Sequence, residues 1–336
     1  MAKSDRKSFH VGKIPPDALK RLVYPHTGKK NRRLIFGPGI GVDSAAVREN
    51  KHAIVFKTDP VTGTASHIGS HSIHINANDI ATTGAKPVWF LCTILLPPGT
   101  QQSKLKQIML EMDQTSRELG ITIIGGHCEA TKGLDRPMII GFMIGEAGHR
   151  LLSSRDAKVG DRILLTKTAG LEGSAIIAWD HKDQLRNLDR RLLDRARKFA
   201  KQLSIVKEAL PLSKIRGIHA LHDPTEGGVL NGLWELAEAS GLGIRVSPDN
   251  IPVEDETIQI CHALGLDPLK LMSSGTLLVA VAPRSVKQAK AVLKRIGVRV
   301  SDVGLMLPRS KGRYIIGNKG KRTLSPIIQD ELYRLP

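Results

Sequence analysis

Aromatic side chains are scarce in this chain: they make up 4% of its 336 residues, although hydrophobic residues together reach 41%. Its cores must therefore be built mainly from Gly, Ala, Val, Ile and Leu, a mix that favours close-packed α/β layers. Cysteine is scarcer still. Cys92, Cys128 and Cys261 are widely spaced and odd in number, which argues against a disulfide framework or a zinc ribbon and suits a reducing cytoplasm. No stretch approaches the roughly 20 consecutive apolar residues of a membrane-spanning helix, and residues 1–7 lack the apolar segment of a secretory signal. Acidic residues are in the minority: 32 against 50 lysines and arginines leave a formal net charge of +18. The basic excess gathers at Lys29, Lys30, Arg32 and Arg33, over residues 186–201 and again over 284–322. Such a spread reads first as solvated surface. Nucleic acid or another polyanion is the alternative, with neither interleaved aromatics nor a recognised binding motif in its favour.

The common nucleotide signatures are missing as well. There is no Gly-x4-Gly-Lys-Ser/Thr, and Gly37, Gly39 and Gly41 do not form the Gly-x-Gly-x-x-Gly fingerprint. What is present is length enough for two domains, with the boundary in the turn-rich segment 148–161, so that residues 1–152 and 153–336 are the expected units. The first 50 residues read as partly loose. Strands are expected at 53–58, 88–96, 121–124 and 137–146, with a helix of small residues at 67–83 and an amphipathic one at 101–119. The second half alternates strands at 162–166, 217–221, 243–247, 275–282 and 298–306 with helices at 171–180, 187–209, 226–240, 255–264 and 285–296, an α+β arrangement of two-domain α/β layers. After residue 318 the chain reads as polar and irregular.

Four carboxylates stand beside glycine-rich turns or strand ends. Asp43 follows Gly41, Asp59 closes the strand that begins at Ala53, Asp79 closes the helix that precedes the Gly84-Ala85-Lys86-Pro87 turn, and Glu129 follows Gly125-Gly126-His127-Cys128. A hard cation such as Mg²⁺ takes carboxylate, water and phosphate oxygens, and glycines let backbone N–H groups approach phosphate. Any one strand-end aspartate is more often a turn former or cap; convergence of several would hold Mg-ATP. His222-Asp223-Pro224-Thr225-Glu226-Gly227-Gly228 has the shape of a helix N-terminal anion site in which Thr225 caps and the glycines expose N–H groups, and a plain capped helix is the simpler reading. His67, His71 and His74 share one helix face. A zinc triad lacks a carboxylate nearby, so they are expected to line a subunit contact or the nucleotide pocket. Cys128 is either a small turn residue or an activated thiol, and His127 a phosphate donor, an acid/base group or a partner of Glu129.

Asn78-Asp79-x4-Gly84-Ala85-x-Pro87 resembles the nucleotide-site helix end of the ATP-dependent superfamily that holds aminoimidazole ribonucleotide (AIR) synthase, the hydrogenase-maturation protein HypE and thiamine-monophosphate kinase. Thr58-Asp59 is similar to its metal-binding strand end, Asp43-Ser44-Ala45-Ala46-Val47 to its Asp-Asp-Ala-Ala-Val segment and Gly125-Gly126 to its second glycine loop. The run His222 to Gly228, with Leu233 to Gly241, Ile251 to Glu254 and Ala263 to Pro268, looks HypE-like, and the resemblance extends over residues 10–307. It implies an AIR synthase-like fold, a homodimer paired through N-terminal strands, ATP and Mg²⁺ near that interface held by Asp43, Asp59 and Asp79, phosphate cradled by the 125–129 segment, and an acceptor, small or protein-borne, facing His222 and Asp223. Ser44, Thr58, Asn78, Thr225, Gly227 and Gly228 complete the implied nucleotide site, and a maturation partner protein is conceivable on the same ground.

The chain departs from that pattern at telling places. It has no cysteine after Cys261, whereas HypE proteins end in a cysteine-bearing tail. Gly126-His127-Cys128-Glu129 stands where HypE has Gly-Asp-Thr-Lys, Ser273-Ser274-Gly275 where it has Asn-Glu-Gly, and Ser44 where it has the second Asp of the pair. ATP-dependent activation of an amide- or acyl-type oxygen is therefore the principal expectation, with a non-catalytic nucleotide-binding scaffold as the alternative.

Overall fold

The computed structural model describes residues 9, 11–148, 150–318 and 320–335. Residues 1–7 and His149 of the boundary segment lie outside the described residues. Along the first half run α1 (Pro16–Leu22), β1 (Leu34–Phe36), β2 (Ala45–Glu49), β3 (His52–Val61), α2 (Ile68–Thr82), β4 (Lys86–Leu96), α3 (Gln102–Leu119), β5 (Thr122–Ala130) and β6 (Met138–Glu146). Its six strands form one sheet in the order β1-β2-β3-β6-β4-β5, antiparallel except where β4 and β5, joined through α3, run parallel. The second half holds β7 (Arg162–Thr166), α4 (Leu171–Asp180), α5 (Arg190–Arg197), α6 (Val206–Ser213), β8 (Ile218–His222), α7 (Gly228–Ala239), β9 (Gly243–Val246), α8 (Asp255–Leu264), β10 (Leu278–Val281), α9 (Val286–Arg295), β11 (Val300–Leu307), β12 (Arg313–Gly317) and β13 (Gly320–Thr323). Its seven-stranded sheet has the order β13-β12-β9-β11-β7-β10-β8. The fold is a two-domain α/β architecture.

α2 explains how the halves are joined. Fourteen of its fifteen residues are buried. It packs on β3 and β6 of its own sheet and on α6 and β8 of the second half. A helix apolar or small on every side is one that is covered on every side. Asn78 fastens the junction: its amide donates to the Leu203 carbonyl at 2.7 Å and its oxygen accepts from the Ile205 N–H at 2.9 Å. One apolar cluster accordingly runs from Val55, Ile73 and Phe90 to Leu212, Ile218 and Val279.

Three expected elements differ. The helix expected over 187–209 is broken into α5, a tight 3₁₀ turn at Lys198–Gln202 and α6. The buried Lys167 ammonium takes the Gln202 and Ser204 carbonyls at 2.9 and 2.8 Å, so those groups are not free to continue a helix. The strand expected to stop before Gly125 runs on as β5 through Ala130. The tail is not irregular. It supplies β13, then returns to bury Asp330, Glu331 and Leu332 at a 3₁₀ turn.

Candidate functional site

A cleft of about 640 Å³ opens between the two halves. Asp43 reaches it from the loop before β2, Lys57 and Asp59 from β3, Asp79 from the last turn of α2, His222 and Asp223 from the end of β8, and Glu235 from α7. Lys57 and Asp59 share a face because strand side chains alternate. Asp59 is thus in mid-strand and does not close the strand. Gly41 (φ +67°) lets the Asp43 loop lie against α7, since a Cβ there would stand 2.5 Å from the Glu235 carbonyl.

The floor is a network of opposite charges. The Lys57 ammonium is 3.0 Å from Asp79 and 3.6 Å from Asp59. His222 lies between two carboxylates, with Nδ1 2.8 Å from Asp43 and Nε2 3.1 Å from Glu235. The Lys13 ammonium meets Thr225 Oγ1 at 3.1 Å and Glu235 at 3.3 Å. Burial by itself would lower the His222 pKa, but Asp43 and Glu235 together hold it well above the usual value. It is an imidazolium donating both N–H groups, with no lone pair left for a general base. Burial would raise Glu235, yet Lys13 and His222 bring it down to about 2. Asp79 goes the other way: burial, with Asp59 and Asp43 nearby, lifts it to about 7 against the pull of Lys57.

Asp223 is the unbalanced group. It is 2% exposed, and neither carboxylate oxygen has a hydrogen-bond partner among the described residues. Burial and the charges of Asp79 and Asp43 raise its pKa well above the aspartate range. Its ligand atoms, those of Asp43 and those of His222 lie within 4.8 Å of one another. Counting the floor, Asp43, Asp59, Asp79, Asp223 and Glu235 face Lys13, Lys57 and His222, which leaves two negative charges in excess when all are ionised. A divalent hard cation fits that excess and the free oxygens of Asp223. His222, protonated, fits as a positioning partner of Asp43 and not as a ligand.

Other expected site residues lie elsewhere within one chain. Gly125, Gly126, His127, Cys128 and Glu129 are not a loop but part of β5, the exposed edge of the first sheet. His127 Nε2 sits 3.1 Å from Glu129. Thr58 donates to the Gly141 carbonyl and Ser44 to the Asp79 carbonyl, at 2.8 and 2.9 Å, so both brace the cleft's framework. Asn78 fastens the two halves. Thr225 does not cap α7. Gly227 is the N-cap, in the left-handed region, and its N–H is already taken by the Asp330 carboxylate at 2.6 Å. The Gly228 N–H is taken by the Thr225 carbonyl at 3.0 Å, so neither donor of the expected anion site is free. His67 and His74 open on a separate cavity of about 1310 Å³ beside Trp179, and His71 is buried; none of the three lines the cleft. Lys13, Lys57 and Glu235 were not foreseen. The Lys57-Thr58-Asp59 alternation carried a signal for one of them; the contact of Lys13 with Glu235, 222 residues apart, carried none.

Residues 41–147 match the AIR synthase related protein N-terminal domain and residues 158–317 its C-terminal domain. The chain belongs to the AIR synthase-related family. It is HypE-like within it. A hydrogenase expression/formation protein of Methanocaldococcus jannaschii is 29% identical over 96% of this chain and 97% of its own length. Carbamoyl dehydratase HypE of Escherichia coli is 30% identical, with 79% of this chain and 78% of that protein covered. The crystal structure of E. coli HypE superposes with a TM-score of 0.74 at 28% identity, covering 84% of this chain and 88% of that one. A HypE solved in complex with ATP shares the fold at a TM-score of 0.67 and 22% identity, over 96% of this chain and 98% of that one. No helix among the described residues is long and apolar enough to cross a membrane.

Proposed function

We propose that this chain is an ATP-dependent enzyme of the HypE-like class, acting in the cytoplasm, which binds Mg-ATP in the cleft and activates an amide- or acyl-type oxygen of an acceptor. The observation that carries this reading is the charged cleft floor, two negative charges in excess when all its groups are ionised, with a buried Asp223 carboxylate that has no hydrogen-bond partner among the described residues. Asp43, Asp79 and Asp223, with Asp59 beside them, would hold the cation. When bound, Mg²⁺ supplies charge neutralisation for the phosphate oxygens. Lys57 and Lys13 add fixed positive charge at the floor, and His222 pins Asp43 and Glu235 so that the site does not have to reorganise as charge shifts. Relatives solved with ATP support the nucleotide, and a HypE–HypF complex among the structural neighbours supports a maturation-type partner.

Homodimerisation belongs to the same proposal. On the sheet face away from α2, Phe56 and Phe142 stack with ring centroids 6.1 Å apart, and Trp89, Ile124 and Phe142 are exposed. An apolar sheet face beside the open edge β5 suits pairing with a second copy. The test is calorimetric titration with a non-hydrolysable ATP analogue, with and without Mg²⁺. Cation-dependent binding that Asp79→Ala abolishes is expected; an Asp79→Ala protein that binds and hydrolyses Mg-ATP normally refutes the assignment.

A further inference from the structure

A groove of about 1310 Å³, sharing no lining residue with the cleft, runs between α2 and α3 on one side and the α5–α6 segment on the other. His67, Ser70 and His74 line it from one face of α2, since residues three and four apart are neighbours on a helix. Asp79, at the far end of the same helix, reaches the cleft instead. Two groups of the groove's floor are incomplete. His74 Nδ1 and Thr168 Oγ1 belong to residues 8% and 2% exposed, and neither atom has a hydrogen-bond partner among the described residues. Buried polar groups are ordinarily paired. Burial, with His71 and Lys167 nearby, brings His74 down to about 3. Its imidazole is therefore neutral, one nitrogen donating and the other accepting.

The opposite wall is basic for a local reason. The Lys167 ammonium holds Glu208 and the carbonyls of Gln202, Ser204 and Gly275, which keeps the chain after α5 in the 3₁₀ turn Lys198–Gln202. Side chains three apart eclipse in such a turn, so Lys198 and Lys201 stand one above the other. Lys207 follows in the first turn of α6. Arg197 and Arg299 are paired with Asp194 and Glu254, at 2.8 and 3.3 Å. Lys198, Lys201 and Lys207 line the groove with no carboxylate in ion-pair range among the described residues. Across from them, Glu111 is engaged by His67 at 3.4 Å and by the Gly69 N–H at 3.3 Å, and Glu118 accepts from Gln114 at 3.1 Å.

We propose that this groove is a second ligand site, for a hydroxyl-bearing organic phosphate, whose phosphate lies against Lys198, Lys201 and Lys207 and whose hydroxyls complete His74 and Thr168. The proposal does not rest on the Mg-ATP reading of the cleft. A phosphate dianion takes charge-assisted hydrogen bonds from several ammonium groups at once, and three lysines without counter-ions match it better than they match a single carboxylate. A hydroxyl both donates and accepts, which suits a neutral imidazole beside a threonine. A nucleic-acid strand fits less well, because its repeating phosphates would run along Glu111 and Glu118. Nucleotides and sugar phosphates share the required chemistry. Trp179, 39% exposed with its ring 5.1 Å from that of His67, separates them: it offers a nucleobase a stacking surface and a bare sugar none.

The experiment uses the full chain in EDTA, where cation-dependent binding in the cleft is silent. Ribose 5-phosphate, AMP and inorganic phosphate are titrated by calorimetry and ligand-observed NMR. The two organic phosphates are expected to bind with Kd below about 1 mM, at least about tenfold tighter than inorganic phosphate. Lys201→Glu combined with Lys207→Glu, both at exposed positions, should weaken them by about tenfold or more. Thr168→Val, which keeps shape, should remove most of the advantage over inorganic phosphate. AMP binding more tightly than ribose 5-phosphate assigns the site to a nucleotide, and equal binding assigns it to a sugar phosphate; either supports the proposal. No binding at about 10 mM, unchanged affinity in the double-lysine variant, or an advantage that survives in Thr168→Val overturns it. So does inorganic phosphate binding as tightly as ribose 5-phosphate. A change of more than about threefold in Asp223→Asn also overturns it, since the probe would then sit in the cleft.

Discussion

Asp223→Asn should make the cation-free protein more stable and the Mg-ATP-bound protein less so. Asp223 and Asp43 present oxygens within 4.8 Å of each other. Two unit charges at that separation repel by about 3.5 kcal/mol at an effective dielectric of about 20. The imidazolium of His222 offsets part of this, but it already serves Asp43 and Glu235. An asparagine removes the repulsion and gives the site an N–H donor for Asp43. A net gain of about 1–3 kcal/mol follows, equivalent to roughly 1–4 °C in Tm for a chain of this size. The pH dependence has a definite sign. A carboxyl whose folded pKa is raised destabilises the fold as pH climbs above its unfolded value near 4, and the penalty is complete above its folded value. In EDTA the unsubstituted chain should therefore lose stability as pH rises above about 4, and Asp223→Asn should lose less. With saturating Mg²⁺ and a non-hydrolysable ATP analogue the order reverses, because ligand at 100 times Kd adds about 2.7 kcal/mol only where the cation is held. The assay is differential scanning fluorimetry across pH, with and without Mg-nucleotide. An Asp223→Asn protein that melts lower in EDTA yet keeps the full Mg-nucleotide gain would sink the idea that Asp223 waits for a cation.

Gly41→Ala should displace the Asp43 loop, since the new Cβ meets the Glu235 carbonyl at a position of positive φ; about 1–3 kcal/mol of strain and weaker Mg-nucleotide binding are expected by denaturation and calorimetry. Lys167→Met removes the cation that touches Glu208 at 2.7 Å and three carbonyls, leaving a buried carboxylate alone. Urea unfolding should show a loss of about 3–5 kcal/mol, largely recovered when Glu208→Leu is added. Sedimentation velocity should give twice the 36.6 kDa of one chain for the protein itself and a single-chain species for Phe142→Asp; a monomer before substitution removes the dimer proposal.

Much of the first half could be read without coordinates because its residues are local signals. A strand carrying Lys57-Thr58-Asp59 and a helix stopped by Gly84 and Pro87 follow from period and turn chemistry, and each of β3, α2 and β4 falls within two residues of where the pattern puts it at its N-terminal end, although β3 runs on to Val61. Asp43, Asp59 and Asp79 were named on those grounds, and all three line the one cleft. The errors share a cause. Gly125 and Gly126 look like a loop because glycine is permissive, yet the parallel pairing of β5 with β4 holds them in a strand. Gly227 and Gly228 look like a free anion site, yet the Thr225 carbonyl takes the Gly228 N–H and Asp330, 103 residues away, takes that of Gly227.

The amino-acid sequence alone determined the alternation of elements, the small-residue helix and the three aspartates, since periodicity and turn preference act over a few residues. Tertiary structure decided which charges meet. It set His222 between Asp43 and Glu235 and left Asp223 without a hydrogen-bond partner among the described residues. Electrostatic energy depends on distance in space and on burial, and neither is encoded within any short segment of chain.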